Sequence, residues 1–415
     1  MTTGPISASP VSASPVSASP ISASPVSASP ISASTASHLM PTYASAPVTF
    51  VRGEGSYLWD SEGRRYVDFL SGLAVTSLGH ANPAVADALY QAASTLLHTS
   101  NLFQTLPGEE VASTLDRLLG GGGLVFFSNS GAEANECAIK LARKWGGPGR
   151  YGVVSAYGSF HGRTLATLHA TGQPAKHEAF QPLPEGFRHV AWRDLEALER
   201  AITPEVAAVL LEPVQGEGGV WPAGHEYFAG VRKLCDERGV LFMVDEVQAG
   251  LGRTGRWWGF EHYGVSPDVV TVAKALGNGV PIGACWARRE VAEAFRPGDH
   301  ASTFGGQPLA ASAARATLKV MEELDAPSLA AVRGAYLANR LEGMSGVASV
   351  RGLGLLLAAE LSGGNAHEVA SRCLEQGLIV NAVTATALRL EPSLLVSEEQ
   401  IDEGTAILEK TLGQP

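Results

Sequence analysis

Lys274 is the residue whose type and position most directly indicate chemistry. It stands in V-T-V-A-K-A-L-G-N-G, after a run of apolar or small residues typical of a strand. A lysine there is seldom a simple surface charge, because an ammonium group is costly to bury. In an apolar, cationic setting the amine becomes a nucleophile that forms a Schiff base with an aldehyde. The alternative is a lysine that merely extends past the strand end to solvent.

A second candidate is V-D-E-V-Q, residues 244–248, at the end of a very apolar segment. A carboxylate at such a strand end faces the crevice where ligands bind in open α/β sheets, and it needs a positive partner there. Asp245 would suit a protonated ring nitrogen, and Gln248 would donate to a ring hydroxyl. A structural carboxylate that caps the next loop is the alternative for Asp245.

Three further motifs carry polar groups between predicted elements. S-N-S-G-A-E-A (128–134) leaves backbone N–H groups free at a helix start, which suits an anion but also fits an ordinary capped turn. Y-G-S-F-H-G-R-T (157–164) offers a ring to stack on and a guanidinium for a carboxylate, or a plain surface loop. L-L-E-P-V-Q-G-E-G-G (210–219) holds two carboxylates, either of which could be structural.

The order of these motifs along the chain is stronger evidence than any one of them. One ligand accounts for all five motifs, because it has a phosphate, a stackable ring, a basic ring nitrogen and an aldehyde for lysine. We therefore predict pyridoxal 5′-phosphate as the cofactor.

The elements that must position these residues follow an α/β rhythm. Apolar strands at 124–129, 151–156, 206–214, 240–247 and 269–276 alternate with amphipathic helices, which predicts a mostly parallel sheet covered on both faces. We expect residues 98–307 to form this large cofactor-binding domain. Residues 40–97, with a hairpin around D-S-E-G and a helix over 83–97, and residues 308–415, with a helix over 398–412, would build a smaller α+β domain from both chain ends.

Composition excludes several classes of protein. The 415 residues carry 30 Lys+Arg and 41 Asp+Glu, a net charge of −11, which disfavours nucleic-acid binding. No apolar run is long enough to span a bilayer, so we expect no membrane partner. The four cysteines form no C-x-x-C pair, which favours reduced thiols in a cytoplasmic protein and argues against a metal site.

The N-terminal tail differs from the rest of the chain. The first 40 residues contain no Lys, Arg, Asp or Glu and repeat (V/I)-S-A-S-P with a period of five. Proline at that spacing blocks helices, and Ser and Ala bury little area, so we predict that residues 1–39 are disordered. We interpret the repeat as an array upstream of a start at Met40; a spacer or docking arm is the alternative.

Longer motifs give the chain a family resemblance from Met40 to Pro415. They include VRGEGSYLWDSEGRRYVDFLSGLAV, FFSNSGAEANECAIKLAR, FHGRT, EPVQGEGG, DEVQAGLGRTG, KALGNGVPIGA, STFGGQPLA and LRLEPSLLVSEEQID. In these the chain resembles the class III (subgroup II) pyridoxal-phosphate aminotransferases of fold type I, and within them most closely the acetylornithine aminotransferases.

The resemblance implies a role for each matched residue. Lys274 would bind the cofactor aldehyde and act as the proton-transfer group, while Asp245 would pair with the ring nitrogen. Arg163 would bind the substrate α-carboxylate and Arg389 the second carboxylate of 2-oxoglutarate, with Glu217 pairing Arg389 in the other half-reaction. The remaining implied residues are cofactor contacts (Ser130, Gly131, Ala132, Phe160, Val247, Gln248 and Thr303, the last from the neighbouring subunit of a homodimer) and the pocket residue Tyr43.

The implied reaction moves the terminal amino group of N-acetylornithine, in arginine synthesis, to 2-oxoglutarate, which gives a semialdehyde and glutamate. Ornithine, 4-aminobutyrate and lysine on an amino-group carrier protein are alternative donors, and a basic rim including Arg52 or Arg256 would favour the carrier. More distant alternatives are a fold type I decarboxylase, racemase or aminomutase, and a non-catalytic dimer.

The chain departs from the usual family pattern at four positions. Ser45 stands where an Arg or a similar residue is usual, Asn82 for His, Asn278 for Gly and Gln307 for Asn. None of these changes removes a catalytic group, but Ser45 lies close to Tyr43 in the sequence.

We predict that deleting residues 1–39 leaves activity intact, because every motif begins after them. The specific activity of the truncated and full-length proteins, compared at equal cofactor content, tests this. A large loss of activity would show that the tail contributes to function.

Overall fold

The computed structural model describes residues 38–44 and 46–413. Residues 1–37 of the predicted tail lie outside the described residues, as does Ser45. Within the described part, no helix is long and apolar enough to cross a membrane.

An antiparallel ribbon and three helices precede the central sheet. These elements are β1 (Phe50–Glu54), β2 (Tyr57–Asp60), β3 (Arg65–Asp68), α1 (Ser71–Ala74), α2 (Pro83–Thr95) and α3 (Leu106–Leu118). The predicted turn joins β2 to β3, and Asp60 Oδ1 closes it by accepting from the backbone N–H groups of Glu62 and Arg64, each at 2.9 Å. The predicted helix over 83–97 is confirmed, although it ends two residues earlier.

The middle of the chain alternates strands with helices, as predicted. Its elements are β4 (Gly123–Ser128), α4 (Gly131–Gly146), β5 (Gly152–Ala156), α5 (Leu165–Ala170), β6 (Phe187–Val190), α6 (Leu195–Ala201), β7 (Val206–Leu211), β8 (Val214–Gln215), β9 (Trp221–Pro222), α7 (His225–Arg238), β10 (Leu241–Asp245), β11 (Val269–Val272), β12 (Gly283–Arg288) and α8 (Arg289–Ala292). Short 3₁₀ helices cover Pro174–Lys176, Glu178–Phe180, Gly259–Tyr263 and Lys274–Gly277.

The central sheet has the order β4-β12-β11-β10-β7-β5-β6. β6, β5, β7, β10 and β11 run parallel, and β12 pairs antiparallel with both β11 and β4. The prediction of a mostly parallel sheet is confirmed. Because parallel strands end at one edge, the loops after β5, β7, β10 and β11 meet there.

Strand alternation places β10 side chains on the two faces of the sheet. Phe242 and Val244 belong to the core on the α7 side, whereas Leu241 and Met243 pack with α4 in a second core. Side chains two residues apart share a face, so Asp245 lies on the α4 side. The apolar run of β10 thus delivers one carboxylate to the first turns of α4.

Helices and short strands complete the chain. They are α9 (Pro308–Glu323), α10 (Ala326–Glu342), β13 (Val347–Leu353), β14 (Leu356–Leu361), α11 (Ala366–Glu375), β15 (Leu378–Ile379), β16 (Asn381–Ala382), β17 (Ala387–Leu390) and α12 (Glu398–Leu412). Four of these strands form a sheet in the order β13-β14-β17-β16. The predicted helix over 398–412 is confirmed.

The two ends of the chain share one sheet. β15 pairs parallel with β3, and Gly404 of α12 packs so closely on Phe69 that a Cβ there would lie 2.3 Å from the ring. A larger side chain at this position would require repacking. The boundaries at 97/98 and 307/308 stay predictions.

Three of the departures from the family pattern have structural roles. Asn82 is the N-cap of α2, with Oδ1 accepting from Ala84 N at 3.1 Å. Asn278 Oδ1 accepts from Leu78 N at 2.8 Å, and Gln307 Oε1 accepts from Thr99 N at 2.9 Å. The last two connect the N-terminal segment to the loops around the central sheet.

Candidate active site

A cavity of about 370 Å³ opens at the carboxyl edge of the central sheet. It brings together ten of the residues that the sequence predicts for a site: Ser130, Gly131, Ala132, Phe160, Arg163, Glu217, Asp245, Val247, Gln248 and Lys274. These residues come from five separate loops, and the sheet edge is what places them together.

Asp245 is almost fully buried and is held by three donors. Its Oδ2 accepts from Asn135 Nδ2 at 2.8 Å and lies 2.8 Å from His161 Nδ1. Its Oδ1 accepts from the backbone N–H of Val247 at 3.0 Å. Asn135 is itself fixed, because its Oδ1 accepts from the Thr271 hydroxyl at 2.7 Å. This network orients a buried carboxylate toward the cavity.

Lys274 follows β11 and lines the same cavity. Its backbone has φ = +45°, a left-handed conformation that costs energy for a residue with a Cβ and is concentrated at functional sites. Desolvation lowers the pKa of the Lys274 ammonium, although the nearby carboxylates of Glu391 and Glu217 oppose this shift. The amine is therefore closer to its reactive neutral form than an exposed lysine.

The turn before α4 provides the anion-binding groups. Ser130 is the N-cap, and its hydroxyl accepts from Glu133 N at 3.2 Å. The backbone N–H groups at the first two helical positions, Gly131 and Ala132, have no partner within a helix. A Cβ on Gly131 would lie 2.7 Å from Val247 Cγ1, so glycine allows the turn to approach Val247 closely.

Two cations flank the aromatic ring of Phe160. The guanidinium carbon of Arg163 lies 5.5 Å from the ring centroid, and Lys176 Nζ lies 5.7 Å from it. The backbone N–H of Phe160 donates to Glu212 Oε2 at 3.2 Å. Burial and the charge of Asp245 raise the pKa of Glu212 well above its usual range.

Glu217 and Arg389 form an ion pair at one end of the cavity. Arg389 Nη1 lies 2.6 Å from Glu217 Oε1 and 3.4 Å from Gln248 Oε1. Burial alone would raise the pKa of Glu217, but the charge and hydrogen bond of Arg389 hold it below its usual range. Arg389 is only 1% exposed and is not among the cavity-lining residues. Glu217, which does line the cavity, therefore lies between the cavity and Arg389.

Besides Arg389, two predicted site residues do not line this cavity. The side chain of Tyr43 is 91% exposed, and Thr303 is exposed in the loop that precedes α9. Neither lines the cavity formed by a single chain.

Several site residues were not predicted from the sequence. His161 lies in the F-H-G-R motif, whose pattern gives no sign that its ring contacts Asp245. Asn135 is detectable as a lone polar residue on the buried Ala/Cys/Leu face of α4. Glu391 also lies within a quoted motif, directly after β17, and only the fold shows that it contacts Arg389. Lys176 carries no sequence signal for its position beside Phe160.

Pyridoxal phosphate fits the donor set of this cavity. The buried Gln248 Nε2 has no hydrogen-bond partner among the described residues, and it belongs to a cavity-lining side chain. The cavity also presents a carboxylate, a lysine and the N-terminus of a long helix. These groups match the ring oxygen, ring nitrogen, aldehyde and phosphate of that cofactor.

Comparisons with known proteins agree with this arrangement. The family described as aminotransferase class-III matches residues 40–412. Acetylornithine aminotransferase from Gloeobacter violaceus is 49% identical over 381 residues, covering 90% of this chain and 95% of the relative. The enzyme of the same name from Caldanaerobacter subterraneus is 47% identical over 385 residues, covering 91% and 98%.

Solved structures give the same result. The ornithine aminotransferase from Toxoplasma gondii superposes with a TM-score of 0.86 at 33% identity, covering 90% of this chain and 92% of that chain. The N-acetylornithine aminotransferase from Stenotrophomonas maltophilia superposes with a TM-score of 0.77 at 37% identity, covering 88% and 95%.

The fold and the cavity define an enzyme of fold type I that uses pyridoxal phosphate. The chain belongs to the class-III aminotransferase family and is a transaminase.

Asn135→Ala removes one donor from Asp245 and leaves the Thr271 hydroxyl without its acceptor. We expect weaker retention of pyridoxal phosphate and a lower Tm, because a buried group left unpaired costs about 1–3 kcal/mol. Cofactor absorbance after gel filtration and thermal unfolding measure the two effects. The control is Asn339→Ala on the exposed face of α10; cofactor retention equal in both variants would contradict this role of Asn135.

Proposed function

We propose that this transaminase moves the terminal amino group of N-acetylornithine to 2-oxoglutarate, producing a semialdehyde and glutamate. The observation that carries the proposal is the Glu217–Arg389 pair, with its 2.6 Å contact at one end of the cavity. The names of the relatives support the donor. Synthesis of arginine in the cytoplasm is the corresponding setting.

The pair answers a charge problem that the two half-reactions create. The donor brings a neutral acetylated group to the cavity, whereas 2-oxoglutarate brings a second carboxylate. Glu217 covers Arg389 in the first case and moves aside in the second, so the buried guanidinium keeps a partner throughout. Gly216 and Gly218 flank Glu217, and its side chain is 33% exposed, which supports such movement. Arg163 binds the α-carboxylate of the substrate. In 2-oxoglutarate this group is next to the reacting carbon, whereas in the donor it is distant from it.

The remaining residues hold the cofactor and move a proton. Bound pyridoxal phosphate supplies an aldehyde that condenses with amines and a ring that accepts electrons. Asp245 would keep the ring nitrogen protonated, Phe160 and Val247 would lie against the ring, and Gln248 would donate to its oxygen. Ser130, Gly131 and Ala132 would hold the phosphate. Lys274 Nζ would move the proton at the substrate carbon that bears the amino group.

We propose that two subunits share their sites in a homodimer. Thr303 would contact the phosphate bound by the partner subunit, and Tyr43 would line its substrate pocket. Support comes from exposed apolar side chains next to Thr303, in the segment before α3 or at the first position of α3: Leu102 86%, Phe103 69%, Leu106 78% and Phe304 65% exposed. Exposed apolar residues in such numbers are typical of an interface.

A panel of amino donors with 2-oxoglutarate tests the substrate. We expect the highest kcat/KM for N-acetylornithine, ahead of ornithine and 4-aminobutyrate, because the relatives that this chain matches over most of its length are acetylornithine aminotransferases. Lysine linked to an acidic carrier protein is included in the panel. Neither Arg52 nor Arg256 is among the residues that line the cavity. Activity with none of these donors would contradict the proposal.

Arg389→Lys tests the acceptor role separately. Lysine keeps the charge but loses the planar fork, so we expect the 2-oxoglutarate half-reaction to slow by about 100-fold and the donor half-reaction far less. Single-turnover rates of the two half-reactions, followed by cofactor absorbance, give the comparison. Equal losses in both half-reactions would count against the exchange at Arg389.

A further inference from the structure

Arg389 has a second acidic neighbour that the proposed reaction does not use. Glu391 follows β17, and its backbone N–H donates to Phe69 O at 2.7 Å. Its side chain is 0% exposed, and its Oε2 lies 3.4 Å from Arg389 Nε. Neither carboxylate oxygen has a hydrogen-bond partner among the described residues.

The surroundings of Glu391 explain how the fold tolerates this carboxylate. Arg389 is its direct partner, and Arg253 and Lys274 are the other cations whose charge it affects. Arg253 is fixed by carbonyl oxygens of Leu355 at 3.1 Å and Pro392 at 2.5 Å. A buried carboxylate that lacks hydrogen bonds is stable only with such cations around it.

The two carboxylates at Arg389 differ in freedom. Glu217 lies on a glycine-flanked loop, is partly exposed and faces the cavity. Glu391 is fully enclosed, and its backbone is bonded to the N-terminal segment. One carboxylate can leave the guanidinium, whereas the other must stay.

We propose that Glu391 is a specificity-determining residue that acts as the permanent counter-charge of Arg389, so that Glu217 and the second carboxylate of the acceptor can replace each other there. This rests on the proposed exchange at Arg389. Repulsion from Glu391 weakens the hold of Arg389 on any second carboxylate. This repulsion acts on Glu217 in one half-reaction and on the acceptor carboxylate in the other, so neither binds Arg389 too tightly to be replaced. It also leaves the buried guanidinium paired while the two exchange.

This arrangement makes a specific energetic prediction. Removing the charge of Glu391 alone strengthens the binding of Arg389 both to Glu217 and to the second carboxylate of the acceptor. Because the two compete, the affinity for the acceptor changes little. When Glu217 is already neutral, removing the charge of Glu391 strengthens only the binding of the acceptor carboxylate to Arg389. The influence of Glu391 is therefore exposed only in a Glu217→Gln background.

The test measures binding of glutarate, a dicarboxylate that lacks the reactive oxo group, to the pyridoxal-phosphate holoenzyme by titration calorimetry. We expect E391Q to change the Kd less than threefold. We expect E217Q/E391Q to bind glutarate on the order of tenfold more tightly than E217Q. The matched control is E217Q/E403Q, which removes a partly exposed carboxylate of α12 that pairs with Arg65 and not with Arg389; its Kd should equal that of E217Q.

Equal or weaker glutarate binding in E217Q/E391Q than in E217Q would overturn the proposal. E391L is the second variant, because an apolar side chain of similar volume removes the charge without leaving an amide unpaired. If neither variant folds, Glu391 is structural and the specificity role is wrong. If Arg389→Lys leaves glutarate affinity unchanged, the proposed exchange at Arg389 fails, independently of Glu391.

Discussion

Asp245, Arg389 and Glu212 are held away from water in this site, and each therefore needs partners supplied by the fold. Asp245 receives three donors, Arg389 receives two carboxylates, and Glu212 accepts from the backbone N–H of Phe160 while burial and the charge of Asp245 raise its pKa. An unpaired buried charge costs several kcal/mol, a large share of the stability of a domain. The loops around the cavity are therefore arranged so that each buried charge has a partner.

The parallel sheet makes such pairing possible between residues that are distant in sequence. β10 ends in Asp245, and its alternation directs that carboxylate to the face covered by α4, where Asn135 lies. β11 ends just before Lys274, next to β10 in the sheet. The chain ends add the other half of the site, because β17 and the loop after it hold Arg389 and Glu391 against the N-terminal segment at Phe69.

Sequence patterns predicted the sheet, the terminal helix and ten of the residues that line the cavity, because these depend on local periodicity and on motifs at strand ends. Tyr43 and Thr303 were predicted as site residues, yet they lie outside the single-chain cavity, and the predicted role of Thr303 involves a second subunit. Asn135, His161 and Lys176 escaped prediction because their importance comes from contacts across the sheet. The left-handed backbone conformation of Lys274 could not be predicted either, because glycine is the residue type that usually indicates such a conformation.

The contrast between Glu217 and Glu391 suggests how one pocket serves two half-reactions. A guanidinium with a single mobile partner would be stable only while that partner is bound, so exchange would pass through an unpaired buried cation. A guanidinium with two fixed partners would leave no place for a substrate carboxylate. One mobile and one fixed carboxylate avoid both difficulties, because the fixed charge stabilises the arginine and the mobile one yields its place. The burial of Glu391 without hydrogen bonds is then consistent with a charge kept for its effect on Arg389, since an apolar side chain would fill the same space at lower cost.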